Sequence, residues 1–115
     1  MTIHWAALPA ADHGRAKLIN GQTLEAHSDE AADLLAAMGN QKRMLILCNL
    51  ASGEMQVGAL AEKVDLSQSA LSQHLAKLRS RNLVKTRRNA QAIYYSINSD
   101  PVLQILRALT NIYKH

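Results

Sequence analysis

The stretch Val57-Gly-Ala-Leu-Ala-Glu-Lys-Val-Asp-Leu-Ser-Gln-Ser-Ala-Leu-Ser-Gln-His-Leu-Ala-Lys-Leu-Arg-Ser-Arg81 decides the reading of this chain. Val57, Leu60, Ala61 and Val64 recur at the helical spacing i, i+3, i+4 and i+7, which predicts one short amphipathic helix. Asp65-Leu66 breaks it, and Ser67 is a natural N-cap for a second helix running from Ser67 to about Arg81. Leu71, Leu75 and Leu78 form the buried edge of that second helix. Its other side carries Gln68, Ser69, Ser72, Gln73, Ala76 and Lys77, short and uncharged in front and basic behind. After Ser80 the period changes. Leu83–Arg88 and Ala92–Ile97 are β-prone runs joined by Asn89-Ala90-Gln91, the pattern of a hairpin with a polar, basic tip.

A short helix, a tight turn, a polar-faced helix and a basic hairpin make a helix-turn-helix followed by a wing. The fold class predicted is mainly α with a small β-hairpin (α+β): five helices plus a two-stranded wing. The other helices are read outward from this unit. The first begins near Thr23, with Thr23 or Ser28 as its cap, and carries Ala31, Leu34, Leu35 and Met38 on one stripe. Gly39-Asn40 stops it and caps the second, about 41–51, which opens on Lys42 and Arg43 and is then apolar nearly all round. Two cations in a first turn oppose the helix dipole, so they are expected to answer acids of the first helix or phosphates. The last helix opens at Asp100-Pro101 and carries Val102, Ile105, Leu106, Leu109, Ile112 and Tyr113 on one stripe. Residues 1–22, with Pro9, Gly14 and Gly21 and no sustained period, read as a flexible tail; residues 23–115 form the domain.

Composition bounds the function. At 115 residues the chain holds one core, no apolar run spans a bilayer, and no signal peptide is evident. One cysteine excludes an internal disulfide and fits a reducing, cytoplasmic compartment. Charge is divided unevenly: residues 1–40 hold two basic and five acidic side chains, residues 41–115 eleven and four. Between Leu66 and Ser99 no acid occurs, yet Lys77, Arg79, Arg81, Lys85, Arg87 and Arg88 do. A one-signed block of this kind suits a polyanion.

Double-stranded DNA is the partner this chemistry asks for. Gln68, Ser69, Ser72 and Gln73 can donate to and accept from base edges in the major groove, and glutamine suits adenine; Ser67, at the helix N-terminus, can hold a phosphate with backbone N–H groups. Lys77, Arg87, Arg88 and Gln91 are placed for phosphates or the minor groove, with His74 as a packing or phosphate residue. The apolar stripes of the first and last helices (Leu34, Leu35, Met38; Val102, Ile105, Leu106, Leu109, Ile112, Tyr113) exceed what one small core consumes. Pairing them across a two-fold axis gives a homodimer with recognition helices about 34–36 Å apart.

The segments Met38–Leu47, Val57–Leu60, Leu66–Leu75 and Thr86–Tyr95 together resemble the ArsR-type winged-helix repressors, and within them the NolR/HlyU-like branch. The resemblance covers about residues 28–113. It implies a homodimer on an inverted-repeat operator, repressing by blocking transcription.

Many members of that family bind metals, but the third helix here has no cysteine. The last helix has only Asp100 and His115, about 22 Å apart along a helix. His4, His13, His27, His74 and His115 show no ligand spacing, so neither a metal nor a cofactor is expected. Relatives in the HlyU branch often sense oxidants with two cysteines. Cys48 stands at the first place and Ile112–His115 holds no second, so Cys48 is a possible redox residue only by itself and is expected to be a small buried hydrophobe. Catalysis is excluded: Ser72 and His74 point to different faces of one helix, and no phosphate loop is present. The alternatives are a winged-helix protein-interaction module and a thiol-responsive regulator acting through Cys48. RNA binding is disfavoured because the only aromatics are Trp5, Tyr94, Tyr95 and Tyr113.

Overall fold

The computed structural model describes residues 20–114; residues 1–19, which hold most of the expected tail, lie outside the described residues. The chain divides into two units between Asp33 and Leu34. In the first, helix α1 (Gly21–Ala26) is capped by the Asn20 side chain, which accepts from the backbone N–H groups of Gln22 and Thr23 at 3.0 and 3.1 Å. It ends at His27, and α2 (Ser28–Met38) starts at once with Asp29 and Glu30 in its first turn, where the dipole favours acids. The single helix expected from Thr23 is therefore two, and the described residues hold six helices. The cap is Asn20 rather than Thr23.

In the second unit, α2 ends against Gly39, where an added Cβ would lie 2.9 Å from the Leu35 carbonyl oxygen; only glycine allows the chain to turn here. Asn40 caps α3 (Gln41–Leu50) by accepting from Lys42 and Arg43 N–H. Among the described residues the two cations are held by backbone carbonyls. Arg43 Nε donates to the Ala37 carbonyl at 2.6 Å and Nη2 to that of Ala36, at the end of α2. Lys42 Nζ donates to the Val64 carbonyl at 2.8 Å, at the end of the next helix. Each cation donates to carbonyls at the C-terminus of another helix, where the helical ladder runs out.

Strand β1 (Met55–Gln56) leads into α4 (Val57–Val64); a tight turn then gives α5 (Gln68–Ser80). Strands β2 (Val84–Asn89) and β3 (Ala92–Ile97) follow, and α6 (Asp100–Tyr113) closes the chain, capped by Ser99 one residue earlier than expected. The sheet is antiparallel in the order β1-β3-β2, with Met55 opposite Tyr95 and Thr86 opposite Tyr95 on the other side. The wing thus has three strands. Two residues are too few for any period-two signal, which is why the sequence did not reveal β1.

Both helices of the helix-turn-helix end in the same way. Asp65 (φ 55°) and Asn82 (φ 59°) take the left-handed conformation, and the next residue's N–H bonds back five residues: Leu66 to Ala61 and Leu83 to Leu78, each at 3.0 Å. Leu66 packs on the core and Leu83 is buried, which anchors each turn with an apolar contact. The core is Leu60, Ala61 and Val64 of α4, Leu71, Leu75 and Leu78 of α5, Ile46, Leu47 and Leu50 of α3, with Ala37, Met38, Leu83, Val84, Val102 and Leu106.

The wing turns at Ala90-Gln91, with Ala90 at φ 56°. An L-residue held left-handed costs about 1–2 kcal/mol, whereas glycine's greater freedom in the unfolded chain costs only about 0.4–1 kcal/mol. Ala90→Gly, normally a destabilising change in a structured segment, is expected here to raise Tm by a few degrees at fixed protein concentration, measured by circular dichroism. A fall in Tm would show that this turn is relaxed.

Candidate nucleic-acid interface

The buried leucines of α5 fix which face looks outward. With Leu71, Leu75 and Leu78 in the core, Gln68, Ser69, Ser72, Gln73, Ala76 and Lys77 are all exposed. Ser67 caps the helix as expected: its Oγ accepts from the Ala70 N–H at 3.1 Å and lies 3.3 Å from Ser69 Oγ. Gln68 reaches over Gly58 and lines a polar cleft with Gln56, Glu62 and Asp65 at the start of the helix. The front of α5 therefore presents two amides and three hydroxyls without a cation among them, and Lys77 follows one turn behind.

His74 does not belong to that face. It is half-buried and its Nδ1 lies 3.4 Å from Arg43 Nη1, so it packs back towards α3 instead of facing a ligand with its neighbours. Burial first, and then the charges of Arg43, Lys77 and Lys42, hold its pKa below the ordinary 6.5. The folded chain thus binds fewer protons here than the unfolded chain, so stability rises with pH through this window. The contribution is present above 6.5 and is lost as pH falls below it towards the depressed folded value. We expect denaturant midpoints to fall as pH is lowered from 7 to 5, and His74→Gln to flatten this fall. An unchanged profile in His74→Gln would locate the pH dependence elsewhere.

The wing separates two arginines that the sequence had grouped. Arg87 pairs across the ladder with Tyr94, and Arg88 with Ile93, so the two side chains leave opposite faces of the sheet. Arg87 is already engaged. Its Nε and Nη2 donate to the Glu54 carboxylate at 2.6–3.2 Å, and its guanidinium lies 4.6 Å from the Tyr94 ring centroid. That hydrogen bond holds the Glu54 carboxyl below its usual range and Arg87 above its own. Arg87, expected to reach phosphates or the minor groove, thus already has a counter-charge within the subunit, from the loop before β1. Arg88 and Gln91 remain exposed. Arg79, absent from the contacts expected from the sequence, stands on the same side of α5 as Ser72 and Ala76, at the helical spacing i, i+4 and i+7 that could have found it. Glu54 left no periodic signal at all.

The proposed pairing face is also only partly as expected. Met38 and Val102 are fully buried in the subunit's own core and Leu106 nearly so. Leu34 and Ile105 lean on that core. What stays open is Leu35, Ile112 (65% exposed) and Tyr113 (73% exposed), with Leu109 half-buried. Between α3 and α6 runs an apolar cleft of about 530 Å³ lined by Met44, Cys48, Ala51, Leu106, Leu109 and Tyr113. Cys48, expected to be buried, is exposed in this cleft. An apolar helix has the same composition whether its residues face a core or an open groove, and α3 does both. Among the described residues no cluster of metal-ligating side chains occurs, and no helix is long and apolar enough to cross a membrane.

Known proteins share this arrangement. The profile of the bacterial regulatory protein, arsR family, matches residues 40–86. The chain is 65% identical over 91 residues to the nodulation protein NolR of Rhizobium meliloti, covering 77% of this chain and 75% of NolR. It is 45% identical over 95 residues to the transcriptional activator HlyU of Vibrio cholerae, covering 83% and 88%. The crystal structure of NolR from Sinorhizobium fredii matches with a TM-score of 0.73 at 59% identity, over 83% of this chain and 94% of that one. With the winged helix-turn-helix, the acid-free outward face of α5 and these relatives in agreement, the chain belongs to the ArsR family of DNA-binding transcriptional regulators, not to an enzyme family.

Proposed function

We propose that this protein is a homodimeric, sequence-specific repressor that binds an inverted-repeat operator through two copies of α5. The observation that carries this reading is the combination of an uncharged, hydrogen-bonding front on α5 with an apolar cleft on α3 and α6 that the subunit leaves open. Ser67, Gln68, Ser69, Ser72 and Gln73 meet base edges, while Lys77, Arg88 and Gln91 meet the backbone. The second copy covers Leu35, Leu109, Ile112 and Tyr113. The operator overlaps the promoter, so occupancy blocks transcription in the cytoplasm. Neither metal nor cofactor is needed for this.

Gln68→Ala and Gln73→Ala test the base-reading assignment. On the sequence selected by the wild type, each is expected to lose about 1–3 kcal/mol per half-site, roughly five- to a hundredfold in affinity. On random duplex each should stay close to wild type. Equal losses on both DNAs, measured by fluorescence anisotropy at one salt concentration, would sink the assignment.

One observation favours a thiol-responsive variant of the same reading: Cys48 is exposed in the cleft that the partner fills. A modified Cys48 would wedge that cleft open. Loss of DNA binding on alkylation, prevented by Cys48→Ser, would support this variant, and unchanged binding would exclude it.

A further inference from the structure

The groove between the recognition helix and the wing is built from a different set of residues than the base-reading front. On the inward face of the sheet Thr86 and Arg88 of β2 stand beside Tyr95 and Ile93 of β3, as the register requires. With Arg79 of α5 they line a pocket of about 270 Å³. It adjoins a second pocket of about 320 Å³, lined by Ser72, Ala76, Arg79, Ser80 and Tyr95. Arg79 and Tyr95 belong to both, so the two form one groove.

Three features of this groove point to one ligand chemistry. It has two guanidinium groups, from Arg79 and Arg88, and no carboxylate in its lining. Among the described residues neither guanidinium has a hydrogen-bond or ionic partner, whereas Arg87 on the opposite face is held bidentately by Glu54. Hydroxyls of Ser72, Thr86 and Tyr95 line the same space and supply neutral donors. Paired guanidinium forks with hydroxyl donors are the chemistry that grips a phosphodiester. Ser72 also belongs to the outward front of α5, so a duplex read by that front passes directly over the groove.

We propose that a backbone phosphate of the bound duplex seats in the groove between α5 and the wing, gripped by Arg79 and Arg88, while Arg87 braces the wing through Glu54. This rests on the DNA-binding reading above and names the cations that carry its electrostatic share. It divides the wing by face: the inward arginine touches DNA and the outward one holds the sheet to the loop before β1.

The test uses the full chain, a fluorescent random-sequence duplex about three helical turns long, and anisotropy titrations at several sodium chloride concentrations. Arg79→Gln and Arg88→Gln are each expected to weaken binding about tenfold at low salt. Each should also reduce the slope of log K against log salt by about 0.9 per bound subunit. Arg79→Lys should restore most of that slope. Arg87→Gln should leave the slope near wild type, and Glu54→Gln, which frees Arg87, should leave it unchanged or steeper. All four side chains are exposed, so unaltered circular dichroism is expected. Wild-type binding with unchanged slopes in Arg79→Gln and Arg88→Gln would overturn this inference alone. So would a larger slope loss in Arg87→Gln. A wild type that binds no duplex even at low salt would overturn the DNA-binding reading, and this inference with it.

Discussion

Ile112→Glu is expected to yield a monomer whose affinity for the selected operator falls at least about a hundredfold, from the specific range of about 10⁻⁸–10⁻¹¹ M towards the non-specific 10⁻⁴–10⁻⁶ M. The size of the effect follows from geometry. A dimer holds two recognition helices on two half-sites at once, and a monomer pays the full entropy of association for each. Ile112 is 65% exposed in the single subunit, so a carboxylate there is harmless to the isolated fold. In the proposed dimer it would bury two like charges without a partner. Sedimentation velocity gives the mass, and anisotropy on operator and random duplex gives the affinities. If the second copy covers the cleft as proposed, the same variant should speed alkylation of Cys48. A dimeric Ile112→Glu protein with wild-type affinity would place the interface elsewhere.

Leu75→Ala is expected to lower unfolding free energy by about 2–5 kcal/mol. Leu75 is 1% exposed, in a cluster with Leu47, Leu60, Leu71 and Leu78 that clamps α5 between α3 and α4. Truncation leaves a cavity in the middle of that clamp, and rigid neighbours on both sides limit collapse. Small domains carry about 5–15 kcal/mol in total, so this is a large share. Urea unfolding at fixed protein concentration should show a lower midpoint with an unchanged slope. Operator binding should be lost at temperatures well below those tolerated by the wild type, because α5 is the element released. A midpoint shift equivalent to less than about 0.5 kcal/mol, the scale of a surface change, would contradict the packing described.

How much of this could be read from residues alone depended on where the deciding partner lies in the chain. The helix-turn-helix was legible because its signals are local: Val57, Leu60, Ala61 and Val64 set one stripe, Ser67 caps the next helix, and Leu71, Leu75 and Leu78 set its buried edge. The two long wing strands were legible for the same reason. The break at His27 was not, since apolar spacing runs straight through it and only the Asn20 cap and the helix start at Ser28 reveal two helices. Cys48 looked buried because a helix between a core and an open cleft is apolar on both sides. Met38 and Val102 looked available for pairing because a stripe does not say which of its turns the subunit consumes. Arg87 and Arg88 looked equivalent until the register put them on opposite faces and brought Glu54, thirty-three residues away, to one of them. Lys42 and Arg43 looked misplaced against their own helix dipole because the carbonyls they satisfy belong to two other helices.

The central claim, a dimer reading a two-fold DNA site through α5, is tested most directly by selecting bound fragments from a genomic DNA pool with the purified protein at near-physiological salt. The account predicts one shared inverted repeat whose half-sites are centred about one helical turn apart, absent from the same selection with Gln68→Ala/Gln73→Ala. Fragments with no common sequence, or a single unrepeated site, would contradict it.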